Sequence, residues 1–94
     1  MNIAQTILSQ IKTQDAWALS AWGAKDFVNT GSGLQFKVGG LAEFKGHVLV
    51  KYNEGSDLYS LEFFKIRKGI KNTVQSLEEV YAEDLVRLID ITVM

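Results

Sequence analysis

The chain has 94 residues, a formal net charge of −1 and no cysteine. This length suits one domain, and the apolar share of 47% argues against a disordered protein, which needs low hydrophobicity and high net charge. The overall charge gives no support to nucleic-acid binding, and the lack of cysteine excludes thiolate metal sites and cysteine nucleophiles.

The first residues predict a protein without a signal peptide. Residues 1–6 lack the basic region and the unbroken apolar run that such peptides need. No apolar run approaches the roughly 20 residues of a membrane span. Small secreted domains often depend on disulfides, so their absence favours a reducing compartment. We therefore expect a cytoplasmic protein that does not enter a membrane.

Residues 2 to about 14 predict an amphipathic helix. Asn2 is placed to cap its start, and Gln5 three residues later completes a capping-box pattern. Apolar side chains recur at the spacing of one helical face, at Ile3, Ile7, Leu8 and Ile11.

Residues 16–22 either extend this helix or form a strand. Their large side chains alternate and Gly23 follows them, which favours a strand. Residues 24–29 continue as a short strand or bend. Residues 29–33 predict a turn, because they tolerate a left-handed backbone.

Three further segments alternate between apolar and polar residues and predict strands: residues 34–38, 47–52 and 57 to about 67. A loop through residues 41–46 joins the first two, and a hairpin loop at 53–56 joins the last two. Short connections of this kind indicate antiparallel pairing.

The C-terminal segment predicts a helix with an apolar stripe through Leu77, Tyr81, Leu85 and Leu88, and with Ile89 or Ile91. Its start lies between Ser76, which forms a capping box with Glu79, and Ala82. The predicted fold is a single α+β domain over residues 1–94. It has a helix at each end of a three- to four-stranded antiparallel meander, and economical packing places both helices on one sheet face.

The sequence shows no catalytic motif. Gly31-Ser32-Gly33 is not followed by the lysine of a phosphate-binding loop and is interpreted as a turn. His47 is the only histidine, whereas zinc sites need three or four ligands in close array, so it is interpreted as a surface or strand-end residue and not as a ligand or a catalytic base. We expect no enzyme activity, no cofactor, no metal and no small-molecule substrate.

The charge is most uneven at residues 65–71, where four cations stand in seven residues: Lys65, Arg67, Lys68 and Lys71. Lysines on an edge strand block edge-to-edge pairing, so this segment is interpreted first as a solvated edge. The alternative is a contact patch for phosphate or for an acidic protein surface.

Aromatic residues provide a second candidate surface. If both helices cover one face, Trp22 and Phe64 share the other face with Leu49 and Ile66, as an exposed patch for a partner or a second copy. The alternative is that the loop at residues 39–46, with Leu41 and Phe44, folds over that face.

Five pieces of the chain, in this order and spacing, carry a resemblance: AQTILSQI at 4–11, GAKDF at 23–27, GLQF at 33–36, DLYSLEF at 57–63 and VYAEDL at 80–85. Together they resemble a family of small uncharacterised proteins of phages, prophages and other mobile elements. The family's usual small polar residue is replaced here by Trp22. The resemblance implies an accessory protein, and some such proteins block host defences by binding a host protein. It implies no catalytic residue.

Two functional hypotheses follow. The first is a non-enzymatic protein-binding module, which binds a host protein or itself through Trp22, Phe64 and Ile66. The alternative is a nucleic-acid-binding domain with an open sheet face. There Tyr59 or Phe64 would stack on bases, and phosphates would be bound by the four cations at Lys65, Arg67, Lys68 and Lys71.

Overall fold

The computed structural model describes residues 2–94, which form one five-stranded antiparallel sheet and three α-helices. The strands lie in the sheet in chain order, as in a meander. The helices are α1 (Ile3–Gln14), α2 (Ala18–Ala21) and α3 (Leu85–Val93), with a 3₁₀ turn at Ala82–Asp84. The strands are β1 (Lys25–Asn29), β2 (Gly33–Val38), β3 (Gly46–Asn53), β4 (Leu58–Arg67) and β5 (Ile70–Val80). The α+β prediction is confirmed, with five strands instead of three to four.

The first helix begins where its cap predicts. The Asn2 side chain accepts a hydrogen bond from the Gln5 N–H at 3.2 Å, which satisfies one of the free donors of the first turn. Ile7 and Ile11 are fully buried, and Ile3 packs against the same core from the side. The 3.6-residue repeat therefore identified the buried face of α1 correctly.

The strand prediction for residues 16–22 is wrong, because this segment forms the short helix α2. Gly23 ends a helix there. It has a φ of 62°, and its N–H bonds to the Ser20 carbonyl. The Ala24 N–H bonds to the Leu19 carbonyl, and the two bonds together make a Schellman motif. A glycine after alternating side chains is compatible with the end of either element, so the pattern alone did not separate them.

Strands β1 to β4 form three antiparallel pairs. The short segment before the first turn, left open between strand and bend, is β1. In the middle of the sheet, Val48 pairs with Phe36 on β2 and with Phe63 on β4. Paired residues of antiparallel strands point to the same face, so these three side chains share one side of the sheet.

The fifth strand was not predicted. A two-residue turn at Lys68-Gly69 has φ values of 52° and 77°, the conformation of a type I′ hairpin, and returns the chain along β4. β5 carries two bulges against β4. One lies between Leu77 and Val80, so these inward residues are three positions apart instead of two. The segment was interpreted as helix because Leu77, Tyr81, Leu85 and Leu88 recur at helical spacing, whereas pairing with β4 makes residues 70–80 a strand.

The helical part of the C-terminal segment starts only at Ala82, the latest start that the sequence analysis allowed. The capping box at Ser76 is therefore wrong, and Leu77 belongs to β5. Tyr81 does not join the apolar stripe, since it is 58% exposed. The buried stripe of α3 consists of Leu85, Ile89 and Val93.

Both long helices lie on one sheet face, as predicted. Their buried residues belong to the same hydrophobic core as the inward residues of the strands. From the helices these are Ile7, Ile11, Leu85, Ile89 and Val93, and from the central strands they are Leu34, Phe36, Val38, Val48, Val50, Leu61 and Phe63. At about 25 cal/mol per Å² of buried apolar area, this face supplies the main driving force for folding.

The loop between β2 and β3 also lies on the helix side. The Phe44 N–H donates to the Val93 carbonyl at 3.0 Å, and its ring packs edge-on against Phe63 in the core. This arrangement decides the alternative left open by the sequence, because the loop does not cover the other face. Within residues 2–94, no helix or loop covers the second side of the sheet, here called the open face.

Trp22 provides a test of this packing. It is fully buried, stacks on Phe36 with 6.4 Å between ring centroids, and donates its indole N–H to Asp90 at 3.0 Å. We expect Trp22→Ala to lower the free energy of unfolding by about 3–5 kcal/mol, and Trp22→Phe by about 1–2 kcal/mol. Urea denaturation followed by circular dichroism measures both changes.

Trp17 is the matched control, because it is the same residue type and is 77% exposed. Trp17→Ala is expected to change the free energy of unfolding by no more than about 0.5 kcal/mol. Equal losses in the two alanine variants would contradict the packing described above.

Candidate functional site

The open face is lined by the alternate residues of the strands. Their pairing across the sheet places the following side chains on it: Gln35, Lys37, His47, Leu49, Lys51, Ser60, Glu62, Phe64, Ile66, Lys71, Thr73 and Ser76. Most of them are polar or charged, unlike the apolar residues of the helix side. The face is therefore a solvated surface with a few apolar members.

Trp22 is not part of this face, so its prediction as a contact residue is wrong. It follows helix α2 and lies in the core beneath the helices. Trp17 is the exposed tryptophan instead. Had residues 16–22 formed a strand, the two tryptophans would have pointed to opposite faces. Because they follow a helical turn, their burial depends on how that turn packs.

Phe64 does point to the open face, but it is only 3% exposed. The His47 ring stacks on it with 5.1 Å between centroids and 12° between planes. The Lys71 Nζ lies 4.6 Å from the ring centroid, in cation–π contact. The prediction of an exposed aromatic here is wrong, and Ile66, half exposed, remains as the apolar contact residue.

Lys71 also belongs to a polar cluster. Its Nζ donates to Glu62 Oε1 at 2.8 Å, and the Thr73 hydroxyl donates to Glu62 Oε2 at 2.7 Å. These hydrogen bonds from Lys71 and Thr73 lower the pKa of the Glu62 carboxyl below its usual value of 4.5. Lys71 therefore has a carboxylate partner, which distinguishes it from the other cations predicted as contacts.

The remaining predicted cations lie at one end of the sheet, where β2 and β4 finish and where β1, β3 and β5 start. The antiparallel register adds cations from distant parts of the sequence. Lys37, for example, is paired with Lys25 on one side and with His47 on the other. The basic end comprises seven cations, Lys25, Lys37, Lys45, Lys65, Arg67, Lys68 and Lys71, against two acidic residues, Asp26 at the start of β1 and Glu43 in the loop before β3.

Sequence reasoning missed Lys25, Lys37 and Lys45, because they are isolated in the chain. Only the pairing of β1 with β2 and of β2 with β3 brings them together with residues 65–71. The predicted order of hairpins contained this information. In an antiparallel meander, the end of β2 lies beside the start of β3 and the end of β4, so cations at these positions lie at one end of the sheet. The opposite end of the sheet is acidic and carries Glu54, Asp57, Glu78 and Glu79.

A shallow cleft of about 260 Å³ opens at the basic end. Four cations from three elements contribute to its lining, and no acidic residue does. The basic cleft is lined by Lys37, Lys45, Gly46, His47, Lys65, Ile66 and Arg67. An anion in this position would meet positive charge from several sides.

Another shallow cavity, of about 270 Å³, lies between α1 and the β3–β4 hairpin. There Tyr52 donates a hydrogen bond to Asp57, and this bond raises the pKa of the Tyr52 hydroxyl. Tyr59 donates to Gln10 at 2.8 Å, and burial raises its pKa. Both hydroxyls form hydrogen bonds to side chains of the same fold, so their role here is structural.

The described part of the chain contains no group of three or more histidine, cysteine, aspartate or glutamate side chains placed to hold a metal ion. None of the helices in residues 2–94 is long and apolar enough to cross a membrane. Comparisons with protein-family models, with curated proteins and with solved structures find no match to this chain. The fold and the surface therefore carry the functional argument.

The Glu62 cluster predicts a pH dependence of stability. Because the folded pKa lies below the unfolded value, the cluster stabilises the protein above about pH 4.5, and this contribution is lost as the pH falls through the lower folded pKa. At pH 7 we expect Glu62→Gln to cost about 0.5–1 kcal/mol, a modest value because Lys71 is half exposed and water screens the pair. Urea denaturation between pH 7 and pH 3 measures the difference.

Glu54→Gln serves as the control, since Glu54 is exposed in the β3–β4 turn. It should show no such loss at pH 7. A Glu62 carboxyl that titrates at or above 4.5 in an NMR experiment on the folded protein would rule out the proposed cause.

Proposed function

We propose that this protein is a non-enzymatic binding module that docks an acidic surface of a partner protein on its basic end and the adjoining open face. The observation that carries the proposal is the collection of cations at one sheet end beside a face that no helix or loop of residues 2–94 covers. Among those residues, only Lys71 of the basic end pairs with a carboxylate. The remaining cations are therefore available to a partner.

The contact residues of this module are Ile66, Lys65, Arg67 and Lys68, joined by Lys37 and Lys45. Ile66 is half exposed and lines the basic cleft together with Lys37, Lys45, Lys65 and Arg67, so it supplies an apolar contact beside the cations. Partially desolvated charge pairs of this kind add specificity and speed up association. The separation of basic and acidic ends would also orient an approaching acidic partner before contact.

A protein partner is favoured over a nucleic acid by the position of the aromatic residues. Stacking on bases needs exposed rings, yet Tyr59 faces the core and Phe64 is covered by His47 and Lys71. The acidic end of the sheet would repel a long polyanion that extended across the open face. Nuclease treatment in the capture experiment distinguishes the two kinds of partner.

The resemblance to accessory proteins of phages and other mobile elements supports a host protein as the partner. Within this proposal the protein acts in the cytoplasm, and inhibition of a host defence system is the role that such a partner suggests. A second copy of the chain is a weaker candidate. Pairing the basic end of one copy with the acidic end of another gives a head-to-tail contact that does not close into a dimer.

Affinity capture with charge-reversal variants tests this function. The double variant Lys65→Glu/Arg67→Glu should lose the host proteins that the unmodified protein retains, because it reverses two charges at the centre of the basic end. The control Lys12→Glu/Arg87→Glu makes the same change in net charge on α1 and α3, outside both the basic end and the open face, and should retain them. Mass spectrometry of the captured proteins, after nuclease treatment, provides the readout.

Retention of the same proteins by both double variants would contradict the proposal. Capture that disappears on nuclease treatment would replace it with the nucleic-acid alternative. Light scattering on the purified protein decides self-association, since a salt-sensitive oligomer that the Lys65→Glu/Arg67→Glu variant abolishes would make a second copy the partner.

A further inference from the structure

The basic cleft holds cations that lack the usual partners. The Lys45 Nζ donates to the Gly40 carbonyl at 3.0 Å, and the Lys65 Nζ lies 5.6 Å from the centroid of the Phe44 ring. A carbonyl and a ring face orient an ammonium group without neutralising it. Among residues 2–94, neither Lys37 nor Arg67 forms an ion pair. Within residues 2–94, none of the four cations that line the cleft forms an ion pair with a carboxylate.

Three separate elements hold these cations in place. Lys37 stands near the end of β2, Lys45 directly precedes β3, and Lys65 and Arg67 stand near the end of β4. The register between β2 and β3 pairs Val38 with Gly46 and so ties the first two elements together. Gly46 has no side chain because a Cβ there would lie 2.6 Å from the Phe64 carbonyl oxygen. The backbones therefore approach closely beneath the cleft.

Like charges gathered in a small volume repel one another, and a bound anion relieves that repulsion. The cleft, of about 260 Å³, has room for a compact anionic group. A phosphoryl group carries nearly two charges on three acceptor oxygens, whereas a carboxylate carries one charge on two. Arg67 offers the forked donors that bind such oxygens in pairs, and the lysines add point charges.

We propose that the basic cleft is a phosphate site that accepts a phosphorylated side chain of the partner protein. This inference rests on the proposed function, because the cleft lies within the basic end that docks the partner. It deepens that function by making the acidic group of the partner a phosphoryl group. His47, whose ring stacks on Phe64, also lines the cleft.

Titration of the purified protein with inorganic phosphate, followed by backbone amide resonances in NMR spectra, tests the site. We expect saturable shifts centred on Lys37, Gly46 and Arg67, and no saturable shifts with chloride at matched ionic strength. Lys37→Gln/Arg67→Gln should weaken phosphate binding by roughly tenfold or more. The control Lys12→Gln/Lys51→Gln removes equal charge outside the cleft and should leave it unchanged.

Peptides distinguish the source of the phosphoryl group. A phosphoserine peptide should bind more tightly than the same peptide with glutamate, and the serine peptide should not bind. Equal affinity for the phosphoserine and glutamate peptides would overturn the choice of a phosphoryl group. A single-stranded oligonucleotide that binds more tightly than the phosphoserine peptide would replace the protein source with nucleic acid.

The two proposals fail separately. Absence of saturable shifts with phosphate would overturn the phosphate site, and so would shifts that the Lys37→Gln/Arg67→Gln variant retains. Neither result would affect the docking function, which the capture experiment tests. Capture of the same host proteins by the Lys65→Glu/Arg67→Glu variant would overturn the docking function even if phosphate binds. Thermal unfolding provides an independent measure, because a ligand that binds the folded state raises the unfolding temperature. Phosphate should raise it in the unmodified protein and in the control variant, but not in Lys37→Gln/Arg67→Gln.

Discussion

The antiparallel pairing of five consecutive strands is the constraint from which the other features of this protein follow. Pairing directs alternate residues to opposite faces, so a strand that buries Val48 and Val50 must present Leu49 and Lys51 to the other side. Because the helices gather on the first side, the second side is left to its own side chains. The same pairing brings alternate strand ends together, and this generates the basic end.

Phe64, the largest apolar side chain of the open face, is buried by residues of the neighbouring strands and not by a helix or a loop of residues 2–94. Phe64 is buried by the His47 ring above it and by the Lys71 ammonium, which Glu62 in turn holds in position. Such an arrangement replaces an exposed aromatic surface on that side with polar and charged groups. For the proposed docking, it leaves the exposed cations and the half-exposed Ile66 as contact residues.

The edge strands show how the sheet ends without pairing further. β1 and β5 both carry bulges, and β5 is exposed along most of its 11 residues. Bulges and charged residues discourage edge-to-edge association, so the cations near the β4–β5 turn serve the edge as well as the basic end. Lys68 adopts a φ of 52° in that turn. A left-handed lysine is uncommon, and the following Gly69 makes the tight turn attainable.

The sequence by itself determined the N-terminal cap, the alternating strands around Phe36, Val48 and Phe63, and the helix at each end, because these depend on local spacing and capping. It also determined that the helices share one face. Tertiary structure alone decided which tryptophan is buried, since Trp17 and Trp22 differ only in how the turn of α2 packs. It decided the fifth strand, because the apolar spacing of Leu77, Tyr81 and Leu85 fits a helix and only the pairing with β4 makes residues 70–80 a strand. It also decided the basic end, because cations more than 20 residues apart in the sequence meet only through strand pairing.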